Sequence, residues 1–336
     1  MNRRWICSDV WMDILPSFDR PQLGLKMALL SDRFDFLVDA HFDGIELTLW
    51  SPITIYEAIG PKAKLSVLIN GKPVQFSMPD YPLPNKIRFR FLHIAYIDHS
   101  VIEFLRSNNH IWDRMGTNLE LSIWSNKTED DHPSWNVFAH EIWPLFASNI
   151  RHLGFRTADD LDNLRRRISL TILTDLDQLG SIDSDGLLPD GIADDGPNTT
   201  AGQALSKWLH TPTKTSQPKR FRHFNINFFD TPNLEWVNNF KETFRRATTS
   251  VSYHIELYFR MESTPMEQFE LENEVTNEKL ILKQRSRNCI KAYNWLLKRC
   301  PIGEPVKFDP RYGNNSCANL NSVRFGFGGN HRIGSL

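Results

Sequence analysis

The segment IRHLGFRTADDLDNLRRRISLTILTDLDQLGSI, residues 150–182, contains one unit of the pattern that decides the fold class. An apolar run at residues 150–155 predicts a strand, and residues 173–182 predict a second strand. Between them, apolar residues recur at the three- and four-residue steps of one helix face: Leu161, Leu164 and Ile168. The segment therefore predicts a strand, a helix and another strand in succession.

The same alternation extends from residue 86 to residue 259. Strands are predicted near residues 92–97, 119–123, 150–155, 173–182, 221–228 and 253–259. Stripes of large apolar residues lie between them, such as Trp135, Phe138 and Ile142. Because alternating strands and helices build a parallel sheet with helices packed against it, the predicted class is α/β.

The spacing of apolar residues separates two architectures. A doubly wound sheet usually carries a Gly-rich phosphate loop, and the chain has neither a G-x-G-x-x-G nor a Walker motif. An irregular leucine-rich-repeat-like α/β domain fits better, because apolar residues at offsets of zero, three and five begin at Phe89, Ile150 and Phe221. A generic α/β layer is the alternative. Residues 184–202, rich in Gly, Pro and Asp, predict a solvent loop between repeats.

Two hairpins are predicted outside this array. Asn70-Gly71 separates two strand-like runs and favours a type I′ turn, while Pro73 removes a backbone donor and assigns the second run to a sheet edge. A C-terminal β-hairpin turns near Asn277, which tolerates a left-handed backbone. After residue 310, the segment with Phe325 and Phe327 is either a last edge strand or a mobile tail.

The first 43 residues predict a short three-helix module. Apolar residues of a first helix recur on one face, a second helical run begins near Pro21, and Ser31 is placed to cap a third helix. Roughly 40 residues is the lower limit for independent folding, so the apolar face needs a partner. The predicted organisation is a module at 5–43, a linker with a β-hairpin at 44–84, the repeat-like domain at 85–310 and a tail at 311–336.

The order of residue types in this module resembles an F-box. F-boxes typically open Leu-Pro-x-Glu-Val/Leu-Leu-x-x-Ile-Leu-x-x-Leu-Asp, and the matching places hold Ile6, Asp9, Val10, Trp11, Ile14, Leu15, Phe18 and Asp19. The chain departs from the motif at Cys7, where the family usually has proline, and at Pro21, one place later than usual. Over most of its length the chain is similar to the large divergent F-box-like families of nematodes.

The resemblance implies a non-catalytic subunit that docks on a Skp-type adaptor, and through it a cullin, while the repeat-like domain binds a protein substrate for ubiquitination. The residues predicted to face the adaptor, or in part to form the core of the module, are Ile6, Cys7, Val10, Ile14, Leu15, Leu23 and Leu30. A non-ligase binding scaffold that retains the F-box shape is the alternative. No catalytic residue, cofactor or metal is implied.

Composition and motifs argue against several other functions. A net charge of −1 gives no electrostatic footprint for nucleic acid or membrane, and four scattered cysteines argue against a disulfide framework, so a cytoplasmic or nuclear location is expected. The basic-aromatic run at residues 219–229 favours a half-buried strand over an RNA-binding segment. Arg165-Arg166-Arg167 predicts the polar end of a helix. The calcium-loop-like sequence from Ser181 lacks the glutamate of the twelfth position.

Overall fold

The computed structural model describes most of the chain. The described residues are 6–42, 47–49, 53–57, 63–83, 87–89, 91–112, 119–125, 133–155, 157–212, 217–225, 235–259, 266–285, 293–305 and 321–327. They form a mixed α/β fold, as the sequence predicted. Contacts divide the chain into two compact units, the first made of Met1–Glu120, His140–Asn149 and Cys317–Leu336, and the second of Leu121–Ala139 and Ile150–Ser316.

The α-helices are numbered in chain order. They are α1 Ser8–Ile14, α2 Arg20–Gln22, α3 Asp32–His41, α4 His99–Ser107, α5 Asn109–Trp112, α6 Pro133–Val137, α7 Trp143–Phe146, α8 Ala158–Arg167, α9 Ile172–Asp175, α10 Ala201–His210 and α11 Glu235–Arg245. Short 3₁₀ segments cover Leu15–Ser17, Ala28–Leu30 and Ala147–Asn149, and π-helical turns cover Leu23–Met27 and Phe138–Ile142.

The strands follow the same numbering. They are β1 Leu47–Leu49, β2 Ile53–Glu57, β3 Ala63–Ile69, β4 Lys72–Ser77, β5 Ile87–Phe89, β6 Phe91–Ile94, β7 Leu119–Ser125, β8 Ile150–Phe155, β9 Ser181–Ser184, β10 Lys219–Asn225, β11 Tyr253–Phe259, β12 Phe269–Asn273, β13 Glu278–Arg285, β14 Tyr293–Pro301 and β15 Asn321–Phe327.

In the first unit, five strands pair in the order β15-β6-β2-β3-β4. The predicted Asn-Gly hairpin joins β3 to β4, with φ of 52° at Asn70 and 75° at Gly71, and β4 with Pro73 is the terminal strand of the order. The hairpin belongs to the sheet, because β2 pairs in parallel with β6. The segment with Phe325 is also a strand, paired in parallel with β6. Contacts therefore group residues 53–77 and 321–327 with the first unit's sheet.

In the second unit, four parallel strands lie side by side in chain order as β8, β9, β10 and β11. Strands β8 and β11 have the bounds that the sequence predicted. An antiparallel extension follows in the order β11-β14-β13-β12. Alternate residues of β9, β10 and β11 are buried, as is every residue of β8 except Arg151, because helices α8, α10 and α11 contribute apolar faces that include Leu164, Trp208 and Phe240. This core carries the predicted strand–helix alternation.

The predicted strand at residues 173–182 is wrong over residues 173–180 and correct only for the last two residues. Residues Ile172–Asp175 form the short helix α9, and β9 begins only at Ser181. The carboxylate of Asp175 accepts hydrogen bonds from Ser169 Oγ at 2.7 Å and from Thr171 Oγ1 at 2.9 Å. These local bonds favour a helical turn over an extended chain, while Leu173 is still buried.

The predicted solvent loop at residues 184–202 is also corrected, because it is packed against the second unit. Leu187, Pro189 and Gly191 are buried. The Gly191 amide donates to Ser206 Oγ at 2.9 Å and its carbonyl accepts from Thr243 Oγ1 at 2.7 Å. Gly191 has φ of 78°, and a Cβ there would lie 2.7 Å from the backbone nitrogen of Phe240. Only glycine fits this approach without displacing helix α11.

The C-terminal hairpin between β12 and β13 forms as predicted, with φ of 55° at Asn277. A buried ion pair between β13 and β14 connects the hairpin, through further hydrogen bonds, to the segment that precedes β11. Arg299 Nη2 lies 2.6 Å from Glu278 Oε2, and both side chains are 1% exposed. Glu278 Oε1 accepts from the Val251 amide at 2.9 Å, and Arg299 Nη2 donates to the Thr249 carbonyl at 2.8 Å. Each charge is thus paired and hydrogen-bonded, which offsets its loss of hydration.

Candidate protein-interaction site

The N-terminal module is built from the predicted helices, with capping at two of their starts. Helix α1 begins at Ser8 after Cys7, which makes no side-chain cap hydrogen bond. Asp19 and Gln22 form a capping box at α2. Ser31 caps α3 as predicted, its Oγ accepting from the Phe34 amide at 3.4 Å. The predicted cap at Ser31 is therefore confirmed, and α2 also begins with a capping box.

Two contacts hold the first and third helices together. The rings of Trp11 and Phe34 meet edge to face, with centroids 4.8 Å apart. Arg33 Nη2 donates to the Ile6 carbonyl at 2.6 Å. These contacts fix the start of α1 against α3 and so determine where the neighbouring apolar side chains lie.

The structure divides the seven residues predicted to face an adaptor. Leu15 and Leu23 are at most 1% exposed and belong to the core of the unit, whereas Ile14 is half-buried. The remaining four are exposed: Ile6 at 46%, Val10 at 44%, Leu30 at 59%, and Cys7. A partner binding to this conformation would therefore contact the exposed four and not the two buried leucines.

Sequence reasoning missed Phe36, whose side chain is 71% exposed. It lies on α3, the helix whose residues Leu37 and Val38 are buried. The sequence did contain a signal for this exposure. Phe36 follows Phe34 by two positions, and residues two positions apart on a helix do not lie on the same face. Exposed large apolar residues in this module mark it as a candidate contact surface.

The second unit has a polar sheet face that connects its parallel strands. Ser181 pairs in register with His152 and Arg220, and Asp183 pairs with Arg222, so these side chains share one face. Arg222 contacts both carboxylate oxygens of Asp183, from Nε at 2.7 Å and from Nη2 at 2.7 Å. Burial raises the pKa of Asp183 to about 6, against the lowering effect of the Arg222 charge.

A hydroxyl, an imidazole and a carboxylate meet on this face. Ser181 Oγ lies 2.7 Å from His152 Nδ1, and His152 Nε2 lies 3.7 Å from Asp183 Oδ2. In a catalytic triad the carboxylate would orient the imidazole, but here Arg222 binds both oxygens of Asp183. The nearby backbone amide of Gly180 donates to the Arg151 carbonyl. These side chains therefore form a cross-strand network that fixes polar groups on the sheet.

Residues 219–225 of the basic-aromatic run form the half-buried strand β10, as predicted, and residues 226–229 lie outside the described residues. In β10, Phe221 and His223 are buried and Arg222 is half-buried. Lys219 lies inside the unit, where its Nζ donates to the carbonyls of Trp208 and Thr211 at the end of α10. Burial lowers the pKa of Lys219 to about 7. This lysine caps a helix end and is not presented to a phosphate backbone.

Potential metal and thiol chemistry is limited in the part of the chain that the structure describes. There, no group of three or more His, Cys, Asp and Glu residues is placed to hold a metal ion. Asp183, the first acidic residue of the calcium-like sequence, is bonded to Arg222. The Cys300 thiol is buried, and burial raises its pKa. Within the same described ranges, no helix is long and apolar enough to cross a membrane.

Comparison with known proteins identifies no family for this chain. No protein-family model, no curated protein and no solved structure matches this sequence.

Proposed function

We propose that this chain is the substrate-recognition subunit of a Skp-cullin-F-box type ubiquitin ligase. The observation that carries the proposal is the exposure of Ile6, Val10, Leu30 and Phe36 on a three-helix module whose sequence resembles an F-box. An exposed apolar surface of this kind is expected where a partner protein binds. The partner proposed here is a Skp-type adaptor, which links the chain to a cullin.

The second unit is proposed to bind the protein substrate. Its four parallel strands neighbour one another in chain order, which is the connectivity of a leucine-rich-repeat-like array. No bond is made or broken by this chain in the proposed mechanism. It acts by proximity, because a substrate held near the ubiquitin-charged enzyme of the ligase has a raised effective concentration.

A non-ligase scaffold is the second candidate. Two observations favour it, namely Cys7 at the start of α1 where the F-box motif has proline, and Pro21 one place later than in the motif. Both lie in the part of the module that would contact the adaptor or position the residues that do. A scaffold would bind its protein partner without delivering it to a cullin.

The adaptor surface is tested by Val10→Asp in the full-length chain. Val10 is exposed, so the variant should fold normally, whereas a carboxylate in a dry interface costs several kcal/mol and should abolish co-purification of adaptor and cullin. Leu68→Asp is the control, because Leu68 is an exposed aliphatic residue on β3, outside both the N-terminal module and the second unit. Normal recovery of adaptor by Val10→Asp, with an unchanged melting curve, would contradict the assigned surface.

The ligase and scaffold readings differ in the fate of the substrate. Val10→Asp retains the second unit, so a cell expressing it should hold the substrate unproductively and lengthen the substrate's half-life. The scaffold reading expects equal half-lives with Val10→Asp and with the unmodified chain. Pulse-chase measurement of the partner recovered by affinity purification distinguishes the two, with Leu68→Asp as the control.

A further inference from the structure

We propose that strand β12 is a docking site for an extended segment of a partner protein in which basic and apolar residues alternate. The segment would add to the sheet of the second unit as a new strand beside β12. This inference deepens the proposed function, because it gives the chemistry of a substrate that the second unit would recognise. Its evidence lies entirely within that unit, so it can be tested without the adaptor.

Strand β12 is the terminal strand of its sheet in the described part of the chain. A terminal strand directs alternate backbone N–H and C=O groups away from its one neighbour, so these groups are available to an added strand. Four of its five residues, Phe269–Leu271 and Glu272, are exposed or half-buried, and only Asn273 is buried. The backbone of β12 is therefore accessible from the side.

The two faces of β12 differ in chemistry, which determines the alternation of the partner. On one face, Lys241 Nζ of α11 lies 4.3 Å from the Phe269 ring centroid, and Leu271 on the same face is half-buried. On the other face, Glu270 and Glu272 are exposed. A strand beside β12 would place apolar side chains next to the first face and charged side chains next to the second.

The charge of the second face favours a basic partner. Glu270 lies 3.5 Å from Lys279 Nζ and 3.6 Å from Lys283 Nζ, while Glu272 shares the face. The residues that flank the strand, Glu267 and Glu274, are exposed and acidic as well. Four glutamates against three lysines, counting Lys241 beside Phe269, leave this edge with a net negative charge, and lysine or arginine of the partner next to Glu270 and Glu272 would be stabilised.

The edge is rigid before any partner arrives. Asn273 Nδ2 donates to the Phe244 carbonyl at 2.7 Å and to the Ala247 carbonyl at 3.0 Å, and Asn273 Oδ1 accepts from the Val275 amide at 2.9 Å. These bonds tie the end of β12 to helix α11 and to the hairpin turn. A preformed edge lowers the conformational entropy lost on binding, which favours association with a short segment.

The terminal strand of the first unit's sheet provides a contrast. Strand β4 carries Pro73, which has no N–H, beside the exposed Lys72, and both features are typical of edges protected from pairing. Strand β12 contains no proline. If its glutamates only protect the edge, no peptide will add to β12 as a strand, whereas docking requires that one does.

The probe is a short fluorescein-labelled peptide of alternating lysine and valine, titrated with the full-length protein and followed by fluorescence anisotropy. Three comparison peptides are used: alternating glutamate and valine, lysines and valines in separate blocks, and the alternating lysine peptide with N-methyl groups on alternate amides. The proposal expects binding of the unmethylated alternating lysine peptide and at least about tenfold weaker binding of the others. Equal binding of the blocked or methylated peptide would show attraction without strand addition and would overturn the proposal.

Glu272→Lys locates the site. We expect it to weaken peptide binding about three- to tenfold, with Glu272→Gln intermediate, because cross-strand charge pairs contribute up to about 1 kcal/mol each. Asp80→Lys, the same change at an exposed aspartate of the first unit, should have no effect. Hydrogen exchange gives a direct readout, since the peptide should slow exchange of β12 amides. Unchanged exchange in β12 despite peptide binding would overturn the proposal, and adaptor binding by the same protein would be unaffected.

Discussion

The N-terminal module and the parallel-strand part of the second unit use apolar residues in opposite ways. The module leaves Ile6, Val10, Leu30 and Phe36 at the surface. The strands and helices of the second unit bury almost all of theirs and add buried polar contacts such as Glu278–Arg299. The difference supports the proposal that the module contacts another protein, whereas the second unit is stabilised mainly by its own interior.

The largest effect should come from breaking the buried ion pair of the second unit. Glu278→Ala leaves Arg299 charged and unpaired at 1% exposure, so the free energy of unfolding should fall by about 3–5 kcal/mol. Glu272→Ala, at an exposed position of the same hairpin, should change it by less than about 0.5 kcal/mol. Chemical denaturation measures both, and a near-neutral Glu278→Ala would refute the role given to the interior of this unit.

A second prediction tests the role of buried polar contacts by comparing two adjacent arginines. Arg165 is buried and donates to the Thr199 carbonyl at 2.8 Å and to the Gly196 carbonyl at 3.2 Å, which fixes the segment before α10. Arg165→Met should lower the free energy of unfolding by about 2–4 kcal/mol, because buried acceptors lose a charged donor. Arg166→Met, at the exposed neighbouring position, is the control and should change it little. Similar urea midpoints for the two variants would contradict this assignment.

A third prediction concerns acid sensitivity of the second unit. Burial lowers the pKa of His210, His223 and His254 to about 4 in each case. The unfolded chain therefore binds more protons than the folded chain between about pH 4 and the ordinary histidine pKa of about 6.5, so stability should fall by a few kcal/mol as pH drops through this window. Asp183, with its pKa raised by burial to about 6, opposes part of this loss.

The histidine contribution is separated by substitution. His223 Nδ1 lies 3.0 Å from the Leu187 carbonyl, and His223→Gln retains a donor without the titrating ring. The pH dependence of the denaturation midpoint should become shallower in His223→Gln and stay the same in His99→Gln, since His99 is exposed. A midpoint that stays constant from pH 6.5 to pH 4 in the unmodified chain would rule out the effect.

The smallest expected effect on stability lies in the N-terminal module. Val10→Ser and Phe36→Ser alter exposed side chains and should shift the free energy of unfolding by less than about 0.5 kcal/mol. Leu23→Ser, at a residue 1% exposed in the same module, should destabilise it by about 2 kcal/mol or more. Thermal melts compare the three variants, and comparable losses in all of them would remove the contrast between the two regions.

Local chemistry accounts for what could be predicted from sequence. The Asn70-Gly71 turn, the Asn277 turn and the Ser31 cap depend on neighbouring residues, and all three occur as predicted. The bounds of strands β8 and β11 were predicted correctly because apolar residues recur within them at strand spacing, as in Tyr253, Ile255 and Leu257. Residues 173–182 were harder, because a short apolar run fits a strand and a helical turn equally well.

The sequence by itself determined the α/β class, the hairpin turns and the existence of an apolar N-terminal helical module, because periodicity, capping and turn propensity act over a few residues. Only the tertiary structure decided that Leu15 and Leu23 are core while Val10 and Phe36 are exposed, and that Arg165 is buried beside the exposed Arg166. The physical reason is that burial depends on which distant segments pack against a residue. A residue type carries no information about that choice.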